Sequence, residues 1–313
     1  MTIATTGLDV LEETRAFNEK LASSMASVPT VYDLDDPLAA RGGLGVFPEP
    51  VLLAEGVDRS VPGRDGAVGV RVFTPEEVRG VYCYLHPGGR VLGSAHHQDG
   101  RLWRLATAAR VAVVSVDYRL APEYPHPASV LDCADVARWL VANAEREFGT
   151  DRLVIGGDSA GAELAVNTLL RLRDEGELHW AFVAAQLTYG VYDMSLTPSA
   201  RAFGERHLVT STQAERWFRA KSFPGLTPEQ LREPGISPLY ADLRDLPPAR
   251  FAVGTNDPLL DDTLFMAQRW RAAGNEAIVE VVAEAVHGFT AFPITVARRE
   301  LDRQHEYLAA AMA

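Results

Sequence analysis

The sequence predicts an α/β fold, with a mostly parallel sheet flanked by helices and covered by a helical cap. Three observations predict it. Short apolar runs recur along the 313-residue chain, with helical stretches between most of them, as a βαβ parallel sheet requires. One run, Leu153-Val154-Ile155-Gly156, leads through Gly157-Asp158-Ser159-Ala160-Gly161 straight into a helical pattern that ends near Arg173. Strand, tight G-x-S-x-G turn and helix in that order are the form of a nucleophile elbow. Finally, Asp257 and His287 follow Ser159 in chain order, each just past a predicted strand, where parallel sheets place their sites.

The elements are justified in turn. An amphipathic helix is expected over residues 11–25, followed by a Pro/Gly-rich stretch from Pro29 through Gly66. That stretch is expected to precede the first strands and to form part of the cap. Strands are predicted at 68–73, 81–85, 111–116, 153–156, 182–187, 251–254 and 277–282. The longest interruption, near 192–237, holds a polar helix around 211–221 and a second at 227–232. Residues 1–50 are therefore expected as an N-terminal cap segment and 192–237 as an inserted one. Residues 51–191 and 238–313 make the two parts of the core.

The chemistry follows from these positions. A serine at an elbow needs a base to take its proton, and the base needs a partner to fix its tautomer. His287, in a loop after a strand near the C-terminus, is the candidate base. Asp257, at the end of Phe251-Ala252-Val253-Gly254-Thr255-Asn256, is the candidate partner. Asp261 and Asp262 are rivals, but they open the next helix, where acids are ordinary dipole partners. An oxyanion needs donors as well. The apolar strand Val81-Tyr82-Cys83-Tyr84-Leu85 runs into His86-Pro87-Gly88-Gly89, whose glycines expose backbone amides beside that of Ala160.

With these blocks in view, the chain resembles the hormone-sensitive-lipase-like esterases, the bacterial family IV branch of the α/β-hydrolases. His86-Pro87-Gly88-Gly89 stands for that family's H-G-G-G. The most family-specific block is Val116-Asp117-Tyr118-Arg119-Leu120-Ala121-Pro122-Glu123, joined by the elbow, Asp257-Pro258-Leu259 and His287-Gly288-Phe289. The resemblance covers most of residues 65–295. It implies an α/β-hydrolase fold and hydrolysis of short- to medium-chain carboxylic esters without metal or organic cofactor. It also implies that Gly88, Gly89 and Ala160 supply the oxyanion amides, and it favours a homodimer. The same machinery also serves deacetylases, lactonases and amidases, while non-catalytic hormone receptors on this fold lack a complete triad.

Two departures from the pattern stand out. Pro87 replaces a glycine and has no N–H, which stiffens the loop without removing the two amides that follow. Arg90 replaces an aromatic and Glu163 an asparagine. The two are opposite in charge, so they either pair, or Arg90 swings to solvent, or Arg90 meets an acidic group on the substrate.

Bulk properties narrow the field further. A net charge of −12 disfavours nucleic acid and anionic membrane surfaces as partners. Cys83 and Cys133 fall in a predicted strand and a predicted helix, and read as reduced core residues of a cytoplasmic protein. His96, His97 and Asp99 share one short loop without further ligands at metal-binding spacing. Trp217, Phe218 and Phe223 in the inserted segment either line a substrate pocket or pack the cap. Phe289 and Phe292, after the histidine, are candidates to touch the acyl or alcohol group.

Overall fold

A computed structural model describes residues 2–3, 7–34, 37–42, 51–176, 181–206 and 208–313. Among these, nine strands form one sheet: β1 (Thr2–Ile3), β2 (Gly56–Gly63), β3 (Gly66–Phe73), β4 (Gly80–Leu85), β5 (Val111–Asp117), β6 (Leu153–Asp158), β7 (Phe182–Thr188), β8 (Ala249–Asn256) and β9 (Ala277–Val286). Their order is β1-β9-β8-β7-β6-β4-β5-β3-β2. β2 and β3 pair antiparallel, as do β3 and β5, and the other pairs are parallel. The C-terminal ends of β4, β6, β7, β8 and β9 therefore lie along one rim, and this is what brings the separated motifs together.

Helices cover both faces. They are α1 (Leu8–Met25), α2 (Asp99–Ala109), α3 (Ala128–Phe148), α4 (Ala160–Asp174), α5 (Pro198–Ala202), α6 (Thr212–Ser222), α7 (Leu260–Ala272) and α8 (Thr295–Ala311). Strand β4 shows why the sequence demands two layers. Its side chains alternate between faces, and every residue is buried. Val81, Cys83 and Leu85 join the larger core with α3 and α4, including Cys133, Val136, Leu140 and Leu164. Tyr82 and Tyr84 join a second core with Leu102 and Leu105 of α2 and Leu308 of α8. A strand sealed on both faces has to be apolar throughout.

One expectation for the N-terminal part is corrected. The stretch from Pro29 through Gly66 does not wholly precede the sheet, because β2 lies within it and pairs with β3 in register from Gly56–Phe73 to Gly63–Gly66. Two residues of that stretch, Val31 and Ala40, cluster with Ala214 of α6, against Leu92, Trp217 and Phe218. Residues 1, 4–6, 35–36 and 43–50 of the expected N-terminal cap segment lie outside the described residues. In the insertion, α6 matches the expected polar helix, whereas 227–232 holds only a 3₁₀ turn at Gln230–Arg232 and the short α5 precedes both. Among the described residues no helix is long and apolar enough to cross a membrane.

Candidate active site

Ser159 sits between β6 and α4 at φ 55°, ψ −121°, a backbone conformation costing about 1–3 kcal/mol for a non-glycine residue. Its neighbours allow the turn. A Cβ on Gly157 would come 2.2 Å from the Leu85 carbonyl oxygen, and one on Gly161 would come 1.9 Å from the same atom. Only glycine lets β4, β6 and α4 approach this closely. The Ser159 amide donates to Thr188 O at 2.9 Å, tying the elbow to the end of β7.

The three residues expected to work together do meet. His287 Nε2 lies 3.0 Å from Ser159 Oγ, and its Nδ1 lies 3.1 and 3.0 Å from the two Asp257 carboxylate oxygens. Asp257 directly follows β8 and also accepts the Leu259 amide at 2.8 Å, which fixes its rotamer. Burial opposes a charge on His287, but Asp257 counters it by charge and hydrogen bond, with Glu215 and Asp158 adding to the pull. The net effect raises its pKa above the ordinary imidazole value. Tyr189, just past β7, packs its ring edgewise on the imidazole at 5.0 Å and is held by a 2.6 Å bond to Thr290 Oγ1. Sequence reasoning missed Tyr189; its position right after a central strand was the available signal.

Gly88 at φ 126° and Gly89 at φ 61° form the loop after β4. Among the described residues, no acceptor takes the amides of Gly88, Gly89 or Ala160, so three backbone donors stand free in the loop after β4 and at the start of α4. The loop is braced from beneath. His86 is buried and stacks on Tyr118 at 4.1 Å, whose hydroxyl donates to His86 O at 2.7 Å. Burial lowers the His86 pKa to about 4, against the pull of the Pro87 carbonyl and Asp117.

Arg90 and Glu163 do pair. Arg90 Nε donates to Glu163 Oε2 at 2.9 Å, and Nη2 donates to Oε1. Burial pushes the Glu163 carboxyl up, against Arg90 and Asn167. The guanidinium also lies 5.0 Å over the Phe223 ring, and its Nη1 is 3.2 Å from His126 Nδ1. Arginine can only donate, so that nitrogen accepts and the proton of neutral His126 sits on Nε2. Burial, with Arg90 and Arg171 nearby, lowers the His126 pKa to about 4.

A cavity of about 20 Å³ beside the oxyanion loop is lined by Gly89, Ala160, Met194, Phe218 and Arg219, among others, room for about one water. Trp217 is not on it; its ring meets Phe218 at 5.2 Å within the cluster that joins α6 to Val31 and Ala40. Phe289 is likewise corrected: it is fully buried in the main core, edge-on to Tyr189. It begins the 3₁₀ turn Phe289–Ala291. Phe292 packs on Phe17 of α1 at 5.0 Å. His96 and Asp99 are engaged elsewhere, His96 with Asp58 and Asp99 with Arg71.

Comparison with known proteins agrees with this geometry. The profile of the alpha/beta hydrolase fold matches residues 82–291. Esterase LipI of Mycobacterium tuberculosis is 33% identical over 90% of this chain and 90% of its own length. The ethyl acetate hydrolase of Pseudomonas putida is 33% identical over 74% of each. Among solved structures, an ester-hydrolase from the metagenome of Lake Arreo superposes with a TM-score of 0.85 at 29% identity, covering 95% of this chain and 98% of that one. The esterase of Pyrobaculum calidifontis gives 0.77 at 28% identity, covering 99% of both. The chain belongs to the alpha/beta hydrolase fold family, and its motifs place it in the hormone-sensitive-lipase-like branch.

Proposed function

We propose that the protein is a serine carboxylesterase acting on short- to medium-chain acyl esters through an acyl-enzyme on Ser159. The observation that carries this is the Ser159–His287–Asp257 chain of contacts at 3.0–3.1 Å together with three unclaimed amides. Neutral His287 accepts the Ser159 proton at Nε2 as Oγ attacks the ester carbonyl carbon. The amides of Gly88, Gly89 and Ala160 take the developing oxyanion. The imidazolium, stabilised by Asp257, then protonates the leaving alkoxide as the C–O bond breaks. Water activated by the same nitrogen attacks the acyl carbon and frees Ser159.

The substrates named for relatives, ethyl acetate in one and acetyl esters in another, support the short end of the range. We assign the segment around 31–41 and the insertion carrying α6 to the cap, since the two share one apolar cluster. Cys83 and Cys133 are both free and buried, which supports a reducing, cytoplasmic setting, and by family likeness we expect a homodimer.

Hydrolysis of p-nitrophenyl esters from acetate to dodecanoate tests the reading, with wild type and Ser159→Ala side by side. Turnover is expected to peak at short chains and to fall by about five or six orders of magnitude in the variant. Equal rates in both proteins would overturn the assignment of Ser159.

A further inference from the structure

Arg219, on α6, is nearly sealed from solvent yet poorly partnered. Its Nη2 donates to Asp193 O at 3.3 Å and lies 4.0 Å from Glu215 Oε2. Its Nε and Nη1 have no hydrogen-bond partner among the described residues. A guanidinium carries five N–H bonds, so three of them lack a partner among the described residues. Buried polar groups are almost always satisfied; Glu215, Asp262 and Asp193 offset the charge of Arg219, but no acceptor among the described residues meets its three remaining N–H bonds. A functional group poised for a ligand is the natural reason to retain it.

Its position says which ligand. Arg219 lines the same cavity as Gly89 and Ala160, and with room for about one water that space admits a single oxygen-sized group of a bound ester within reach of this guanidinium. Much of the remaining wall is apolar, from Val191, Met194, Phe218 and Phe223, and the Ser222 hydroxyl there donates to Gly89 O at 3.2 Å. Arg90 is also on the wall, but its charge is committed to Glu163. Glu215 faces the cavity too, with Oε1 taken by Thr210 at 2.9 Å. A plain alkyl ester, with no second oxygen to place here, would leave Arg219 orphaned.

We propose that Arg219 is a specificity residue that hydrogen-bonds a second oxygen, such as a ketone or carboxylate oxygen, carried by the part of the ester that occupies this cavity. The preferred substrates are then short oxygen-bearing esters rather than plain alkanoates. This rests on the esterase reading above. A site built to donate hydrogen bonds discriminates against an analogue lacking the acceptor, because its own buried donors are left unpaired.

The test compares three uncharged esters of similar size by pH-stat: ethyl butyrate, ethyl acetoacetate and acetonyl butyrate. The acetoacetate puts a ketone oxygen on the acyl side and the acetonyl ester puts it on the alcohol side. Intrinsic reactivity differs among them but cancels when the ratio of kcat/KM, keto-ester over butyrate, is compared between wild type and variant. In Arg219→Met that ratio is expected to fall by about 10- to 100-fold for one of the two keto-esters, the range for a hydrogen bond to a charged group. Which ester responds tells which side enters the cavity. Arg219→Lys, which keeps the charge but not the planar fork, should lose a smaller part of the ratio and serves if the methionine variant does not fold. Unchanged ratios, with or without a drop in Tm, would make Arg219 structural and overturn the inference. If wild type cleaved no ethyl or p-nitrophenyl butyrate at all, the esterase reading itself would fail and this inference with it. Normal butyrate turnover with unchanged ratios would remove only Arg219.

Discussion

Arg90 and Glu163 form a sealed ion pair between the oxyanion loop and the helix that follows the nucleophile, with side chains only 4% and 0% exposed. The pair spans 73 residues of sequence and fixes the loop residue directly after Gly89. Arg90 itself holds φ 64°, so the contact offsets local backbone strain. Removing one member strands the other charge in a low-dielectric site, which costs about 3–5 kcal/mol. Glu163→Gln is therefore expected to lose about 3 kcal/mol of unfolding free energy. Combining it with Arg90→Met should recover most of that loss. Urea denaturation of wild type, Glu163→Gln, Arg90→Met and the double variant decides the matter, because additive losses would mean that the two residues are not coupled.

Arg41 acts on the same loop. Its Nε donates to Val91 O at 2.8 Å and its Nη2 to Ala121 O at 2.8 Å. The guanidinium also grips both carboxylate oxygens of Glu123 at 2.6 and 2.8 Å. One side chain of the N-terminal segment thus ties the oxyanion loop to the Tyr118–Glu123 block. Loosening it should misplace the amides of Gly88 and Gly89 more than it weakens substrate binding. Arg41→Met is expected to lower kcat about tenfold with little change in KM, the pattern of an interaction expressed in the transition state. Glu123→Gln should cost less, since the two carbonyl contacts survive. An unchanged kcat in Arg41→Met would show that the loop holds its shape without the clamp.

The sequence made the rim legible because the chemistry is punctuated there. Ser159, Asp257 and His287 each follow a fully or largely apolar strand, and strand ends are where apolar periodicity stops. The β2 strand was hidden for the converse reason. Gly56–Gly63 carries Asp58, Arg59, Ser60 and Pro62, and only Val61 is buried, so a one-sided edge strand reads as loop. Phe289 misled because proximity to His287 along the chain says nothing about which way a 3₁₀ turn aims a ring. Arg219 gave no signal at all. A cationic residue on a polar helix is ordinary, and only the fold reveals that it is buried beside Ala160.

The glycines at the elbow make a sharp contrast with one elsewhere. A Cβ at Gly161 would lie 1.9 Å from the Leu85 carbonyl oxygen, backbone that cannot swing aside, so Gly161→Ala is expected to destabilise by about 3 kcal/mol or more. Gly100, in the first turn of α2, has nothing within 4 Å of its built Cβ. Gly100→Ala should therefore stabilise by about 0.5–1 kcal/mol. Thermal unfolding of the two variants checks both signs, and a neutral Gly161→Ala would mean that β4 and α4 can separate without cost.

The pH profile should carry the signature of Asp257. General-base catalysis needs neutral His287, and kcat/KM reports the free enzyme. Burial disfavours the imidazolium, but Asp257 overrides it and raises the His287 pKa, so the acid limb of kcat/KM should have its midpoint above the ordinary value of about 6.5. Asp257→Asn removes the largest opposing influence and leaves burial in place. Its acid midpoint should shift below that of wild type, while kcat falls by about four orders of magnitude from loss of the correct tautomer. Stability runs the other way. A histidine whose folded pKa lies above its unfolded value contributes stability that is fully present below the unfolded pKa and lost as pH rises through the folded one. Activity should therefore rise across the same window in which this contribution to stability declines. A midpoint at or below that of free imidazole in the wild type would show that Asp257 does not govern His287.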